Sequence, residues 1–173
     1  MTNQKNEDGR DLWRAVWQSE RAFVQARIAF LSGAADRLDE LRSALRDPAQ
    51  RGAALRVCSY LSADERKQLF GDLLGIASVA HADMGLCREV IRSLPKDWLL
   101  TTIEGAAEPL LQTDAREHYR RLLELYWELD AGLVHALATR ALASEDEEVR
   151  EAGEDFLARL QRRGCHNPGG LAS

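Results

Sequence analysis

Apolar residues recur at intervals of three and four along most of the chain and nowhere alternate as in a strand, so the pattern predicts helices throughout. The clearest stripe lies over 11–31. There Leu12, Trp13, Val16, Trp17, Phe23, Val24, Ile28 and Leu31 share one broad face, with Arg14, Gln18, Arg21 and Gln25 largely opposite. A stripe of that width must pack on something, and the expectation is that this helix lies along the flank of the domain as a cap. Further helices are predicted over 34–45, 48–61, 63–78, 80–94, 96–108, 114–129, 131–143 and 145–162. Capping chemistry marks their starts. Asp47 stands before Pro48, a capping acid ahead of a proline suited to the first helical position. Ser62 with Glu65, and Ser144 with Glu147, fit the reciprocal capping box, and Asp114 with Glu117 is a weaker variant.

Sliding the chain on itself by 33 residues brings equivalent positions together. Asp64, Asp97 and Asp130 coincide near the start of the first helix of a pair. Three apolar columns follow on the second helix: Ala53, Leu86, Tyr119 and Ala152; Val57, Val90, Leu123 and Phe156; and Leu61, Leu94, Trp127 and Leu160. A unit of this size cannot bury its own apolar face, so the columns imply stacked helix pairs.

The period alone would also suit ankyrin or tetratricopeptide repeats, but their turn and aromatic signatures are missing. The last unit, 144–160, resembles the short HEAT-like repeat of bacterial repeat proteins. Its D-x-x-V-R-x-x-A rhythm survives as Asp146, Val149 and Arg150, with Gly153 in the alanine place. The first unit keeps Asp47 and Arg51 at the same columns, whereas Ala80 and Thr113 replace the acid and Met84 and Glu117 the arginine in the middle units. The resemblance implies an all-α fold, a solenoid of about four antiparallel helix pairs over 34–161 behind an N-terminal capping helix. One helical-repeat domain is expected over 10–161, between a disordered N-terminus (1–9) and a disordered tail (162–173) that holds Cys165 and His166. Such a fold by itself fixes no activity.

Composition narrows the function. The 173 residues carry a net charge of −5, with 23 Lys and Arg against 28 Asp and Glu. Arginines are interleaved with acids almost everywhere, and the one clear block of charge is acidic, Glu145 to Glu148, so nucleic acid is not the expected partner. No apolar run approaches the ~20 residues that cross a bilayer, and the N-terminal residues have no secretory pattern. The expected setting is cytoplasmic, and the arginine-rich, lysine-poor usage suits a bacterial chain.

Candidate chemistry is sparse. Cys58 and Cys87 sit in apolar helical surroundings and read as small core residues. His81, His118, His135 and His166 are scattered without metal-ligand spacing, and no nucleophile elbow or phosphate loop is present. Neither a metal nor a cofactor is expected. Arg88, Arg92, Arg116, Arg120 and Arg121 form the densest run of arginines, on the middle second helices, where HEAT-like pairs usually line the concave side. Glu89, Glu117 and Glu124 can pair with them within a helix. His118 breaks a column that holds Gly52 and Gly85, beside Tyr119. It reads as a helix-surface histidine or as a recognition residue. Trp13 and Trp17 offer either a packed cap or an aromatic anchor, Trp127 reads as core, and Trp98 as partly exposed.

The sequence therefore points to a non-catalytic protein-interaction module that uses Arg88, Arg92, Arg116, His118, Tyr119 and Arg120 against a basic protein partner, as an immunity protein or an adaptor would. A HEAT-like DNA-repair glycosylase, and a lyase or chaperone for a cofactor-bearing protein, are the alternatives. The oligomeric state stays open.

Overall fold

The structure, a computed structural model, describes residues 2–165. All the elements among them are helices. None is long and apolar enough to cross a membrane. The chain divides into two compact units, Met1–Ser43 and Ala44–Ser173, where the sequence reading drew a single domain.

The first unit holds α1 (Thr2–Gly33) and most of α2 (Arg37–Arg46). α1 begins well before residue 10, so residues 2–9, expected to be disordered, are helical. Nothing between Thr2 and Leu31 is a proline, and Gly9 stands in open space, so no breaker interrupts the helix. The apolar stripe read as a packed cap is open at Leu12, Trp13, Val16, Trp17 and Ile28, which are 51 to 70% exposed, while Phe23, Val24 and Leu31 are half-buried. Arg21 lies over the Trp17 ring and Arg27 over Phe23.

The second unit contains α3 (Arg51–Cys58), α4 (Ala63–Gln68), α5 (Phe70–Ala77), α6 (Met84–Arg92), α7 (Lys96–Thr113), α8 (Ala115–Leu129), α9 (Ala131–Ala141) and α10 (Glu147–Cys165). Neighbours along the chain pack on one another, α5 on α6, α7 on α8, α8 on α9 and α9 on α10. Elements further apart also meet, α3 with α6, α8 with α10 and α5 with α7. The central apolar column is buried throughout: Val57, Val90, Leu123 and Phe156 are all at or below 9% exposure. Leu61 and Leu94 are buried in their column, and Trp127 and Leu160 half-buried. Tyr119 and Ala152 are buried in the third column, Leu86 is half-buried, and Ala53 is exposed.

Local chemistry explains where the helix boundaries depart from expectation. The helix expected over 63–78 breaks at Leu69, whose N–H turns back to Arg66 three residues earlier. The break sets Leu69 and Phe70, adjacent in sequence, into the core together. α7 runs through Pro109 to Thr113, where an end at 108 was expected. Gly105, whose carbonyl loses its partner there, and Pro109 are both exposed, so water can satisfy the orphan oxygen. The Ser62–Glu65 capping box forms, and Asp114 and Asp130 cap α8 and α9. At α10 the cap is Asp146, not Ser144. Its carboxylate accepts from the N–H groups of Glu148 and Val149, while the Ser144 hydroxyl accepts from Asp146 N–H.

From residue 166 onward the tail, His166 included, lies outside the described residues, and 162–165 belong to α10.

Candidate functional site

All five arginines in question lie on α6 and α8. α8 is strongly two-sided: Leu122, Leu123, Leu125 and Tyr126 are buried, which leaves Arg116, Glu117 and Arg120 on the exposed side. The start of α10 contributes Glu148 and Glu151 to the same side. Together with Tyr119, Arg121 and Ala80 these groups line an open groove of about 410 Å3.

Ion pairs between helices fix the arginines of this groove. Arg116 donates through both Nε and an Nη to one oxygen of Asp146, at 3.0 and 2.9 Å, and its other Nη lies 3.4 Å from Glu148. The Arg116 hydrogen bonds hold the Asp146 carboxyl below its usual range. Arg120 reaches Asp155 at 3.4 Å. Arg121 donates to both oxygens of Glu124, at 2.9 and 3.0 Å, and is the one arginine of the run that makes the expected pair within its own helix. Glu117 and Glu151 have no ion partner among the described residues.

Arg88 is a different kind of group. It is buried, and it donates to Glu124 at 2.9 Å, to Glu128 at 3.3 Å and to the Arg121 carbonyl at 3.3 Å. Burial pushes the Glu124 carboxyl up, but the hydrogen bonds from Arg88 and Arg121 outweigh it and hold the group below its usual range. The Arg88 Nε is buried without a partner among the described residues. Arg88 thus ties α6 to α8 and offers almost nothing to a visiting molecule. Arg92 shares Glu128 at 3.4 Å and lines a separate cavity of about 240 Å3 with Lys96 and Leu99.

His118 is neither of the things the sequence suggested. It is 9% exposed, and its Nδ1 donates to the Ser78 carbonyl at 3.2 Å, across from the end of α5. The small residues in its column do not mark a shared close approach: a Cβ on Gly52 would meet the Asp83 carboxylate, but one on Gly85 would meet nothing. Tyr119 lines the groove yet is only 5% exposed, and burial raises its hydroxyl above the usual phenol range. So Arg116, Tyr119 and Arg120 come together in the groove. Arg88 and Arg92 meet elsewhere at Glu128, and His118 belongs to the core.

Sequence reasoning noted the Glu145 to Glu148 block only as a surplus of acid and did not place Glu148 and Glu151 beside Arg116 and Arg120. The 33-residue spacing could not do so, since it aligns the exposed Arg116 with the buried Val149 and the buried His118 with the exposed Glu151. No group of His, Cys, Asp and Glu arranged to hold a metal is found among the described residues. No family model, no curated protein and no solved structure matches the chain.

Proposed function

We propose that the chain is a non-catalytic protein-binding module, a HEAT-like α-solenoid whose second helices present the α8–α10 groove to a basic segment of another protein. The observation that carries this reading is the charge state of the groove. The lining is balanced in formal charge, with Arg116, Arg120 and Arg121 against Glu117, Glu148 and Glu151, but the arginines are engaged by Asp146, Asp155 and Glu124, the last two shared with Arg159 and Arg88. Glu117 and Glu151 are the lining groups without an ion partner among the described residues, so the charges still open to a visitor are acidic. Open acids of that kind suit lysine- or arginine-rich surfaces and not phosphate backbones. Arg116 holds Asp146 and Glu148 in place, and Tyr119 floors the groove. An immunity protein that neutralises a basic toxin, or an adaptor for a basic partner, would use it in this way.

Support for the repeat architecture comes from the burial of Val57, Val90, Leu123 and Phe156 at equivalent places, and from the pairing of α3 with α6 and α8 with α10. Rigid stacked helices bind with little ordering cost.

The test is affinity capture of the tagged chain from its native cells at native levels, with partners quantified by mass spectrometry. It is run for the wild type and for a Glu117→Lys, Glu151→Lys double variant. The expected result is a stoichiometric protein with a basic surface that the variant loses. Recovery of no stoichiometric partner, or binding to duplex DNA at physiological salt, would overturn the reading.

A further inference from the structure

On α1, Leu12, Trp13, Val16 and Trp17 form a contiguous patch, each side chain at least 53% exposed. Two indoles and two aliphatic side chains side by side in water mark a surface that another molecule covers. The spacing shows what kind. Trp17, Val24 and Leu31 recur every seven residues, and Val16, Phe23 and Phe30 form a second seven-residue column beside them. Seven is the period of a helix that packs along another helix. With Trp17 at an a position, Arg10 takes the preceding a, and Trp13 and Glu20 take successive d positions.

We infer that the N-terminal half of this face binds a second copy of the same chain, with the two α1 helices antiparallel. The direction follows from charge. Arg10 and Glu20 bracket the two tryptophans on one stripe, both are exposed, and neither has an ion partner among the described residues. An antiparallel partner sets Arg10 of each copy against Glu20 of the other and seats Trp13 on Trp17, all twice by symmetry. A parallel partner would set Arg10 on Arg10 and Glu20 on Glu20, and like charges facing one another oppose that pairing.

The area is sufficient. An aromatic side chain buries roughly 150–250 Å2, so at these exposures the patch offers on the order of 500 Å2 per copy. Two copies then bury roughly 1,000 Å2, the size at which a specific contact separates from an adventitious one. A dimer of that size with aromatic anchors belongs in the micromolar range rather than among obligate assemblies. This inference is independent of the α8–α10 groove, which lies in the other unit.

Sedimentation equilibrium across the micromolar range tests it on the whole chain, with circular dichroism and Tm as fold controls. The wild type is expected to show a reversible monomer–dimer equilibrium. Trp13→Ala with Trp17→Ala should raise Kd roughly 100-fold at unchanged Tm. Arg10→Glu alone and Glu20→Arg alone should each weaken the dimer, whereas the double charge swap should restore it, because the swap rebuilds the pair only across antiparallel helices. A monomer at every concentration, a dimer indifferent to the tryptophans, or a double swap no better than the singles would overturn the inference. So would a fall in Tm of the tryptophan variant without change in mass, which would assign the stripe to its own chain.

Discussion

Arg51 and Arg150, separated by three times the 33-residue spacing of the apolar columns, make the same contact. Arg51 Nε donates to the Leu45 carbonyl at 2.9 Å, and an Arg150 Nη donates to the Ser144 carbonyl at 2.9 Å, six residues back in each case. In each case the acid four residues before the arginine accepts from the N–H two residues after itself, Asp47 from Ala49 and Asp146 from Glu148. The acid and the arginine therefore stitch the turn to the helix that follows. The acid accepts from N–H groups that the helix start leaves unpaired, and the arginine donates to a carbonyl left unpaired at or just past the end of the preceding helix. Hydrogen bonds from a charged donor contribute about 1.5–3 kcal/mol, so Arg51→Met and Arg150→Met should each cost about that much in urea unfolding. Arg120→Met removes only an exposed ion pair and should cost under about 1 kcal/mol. Equal effects at all three positions would remove the distinction.

Gly153 stands where the repeat rhythm has alanine, and the packing gives the reason. A Cβ there would sit 2.7 Å from the Ala138 carbonyl oxygen and 2.8 Å from the Ala141 Cβ, both on α9. Elsewhere in a helix interior, glycine to alanine gains up to about 1 kcal/mol. Gly153→Ala should instead destabilise by about 1–3 kcal/mol, through overpacking that backbone cannot relieve. Gly75 in α5 has open space around its would-be Cβ, so Gly75→Ala should raise Tm. The opposite signs, read by thermal unfolding of the two variants, are the prediction.

Glu108 on α7 and Arg140 on α9 join two helices through a two-pronged ion pair, one prong at 2.9 Å. The Arg140 hydrogen bonds, with a further one from Gln112, lower the Glu108 carboxyl to about 2. A carboxyl lowered by folding stabilises the native state above its unfolded value. That contribution is lost as pH falls from the ordinary carboxylate range toward 2. Glu108→Gln should therefore flatten the fall of urea midpoint across that window while leaving the protein folded at neutral pH. A variant with the acid slope of the wild type would contradict the assignment.

Cys58 and Cys87 are free, fully buried thiols, and burial pushes each up to about 12. The Cys87 thiol also donates to the Leu73 carbonyl at 3.1 Å. A thiol that is both protonated and enclosed reacts only when the structure opens. At pH 8 an aromatic disulfide reagent should label these two cysteines only through opening, at a rate that levels off at the unfolding rate as the reagent is raised. Labelling in the native state as fast as that of an unfolded control would count against the burial described.

Much of the fold could be read from the chain because helix faces are local. Val57, Val90, Leu123 and Phe156 were placed in one column by spacing alone, and all four are buried. Ser62 and Glu65 cap as their spacing requires, since both partners lie within one turn. The site was less legible. Arg88 and Arg120 lie on the same sort of helix in the same sort of sequence, yet one is buried between two acids and the other is surface.

What the sequence determined by itself is the helical course of the chain, its central apolar column and the surplus of acid, because periodicity, caps and charge depend on residues within a few positions of one another. What only the tertiary structure decided is the occupant of each face. It put His118 against the Ser78 carbonyl, matched Arg116 to Asp146, and left the α1 tryptophans exposed. Those outcomes turn on groups thirty or forty residues apart meeting within a few ångströms, or failing to meet, and no local pattern carries that distance.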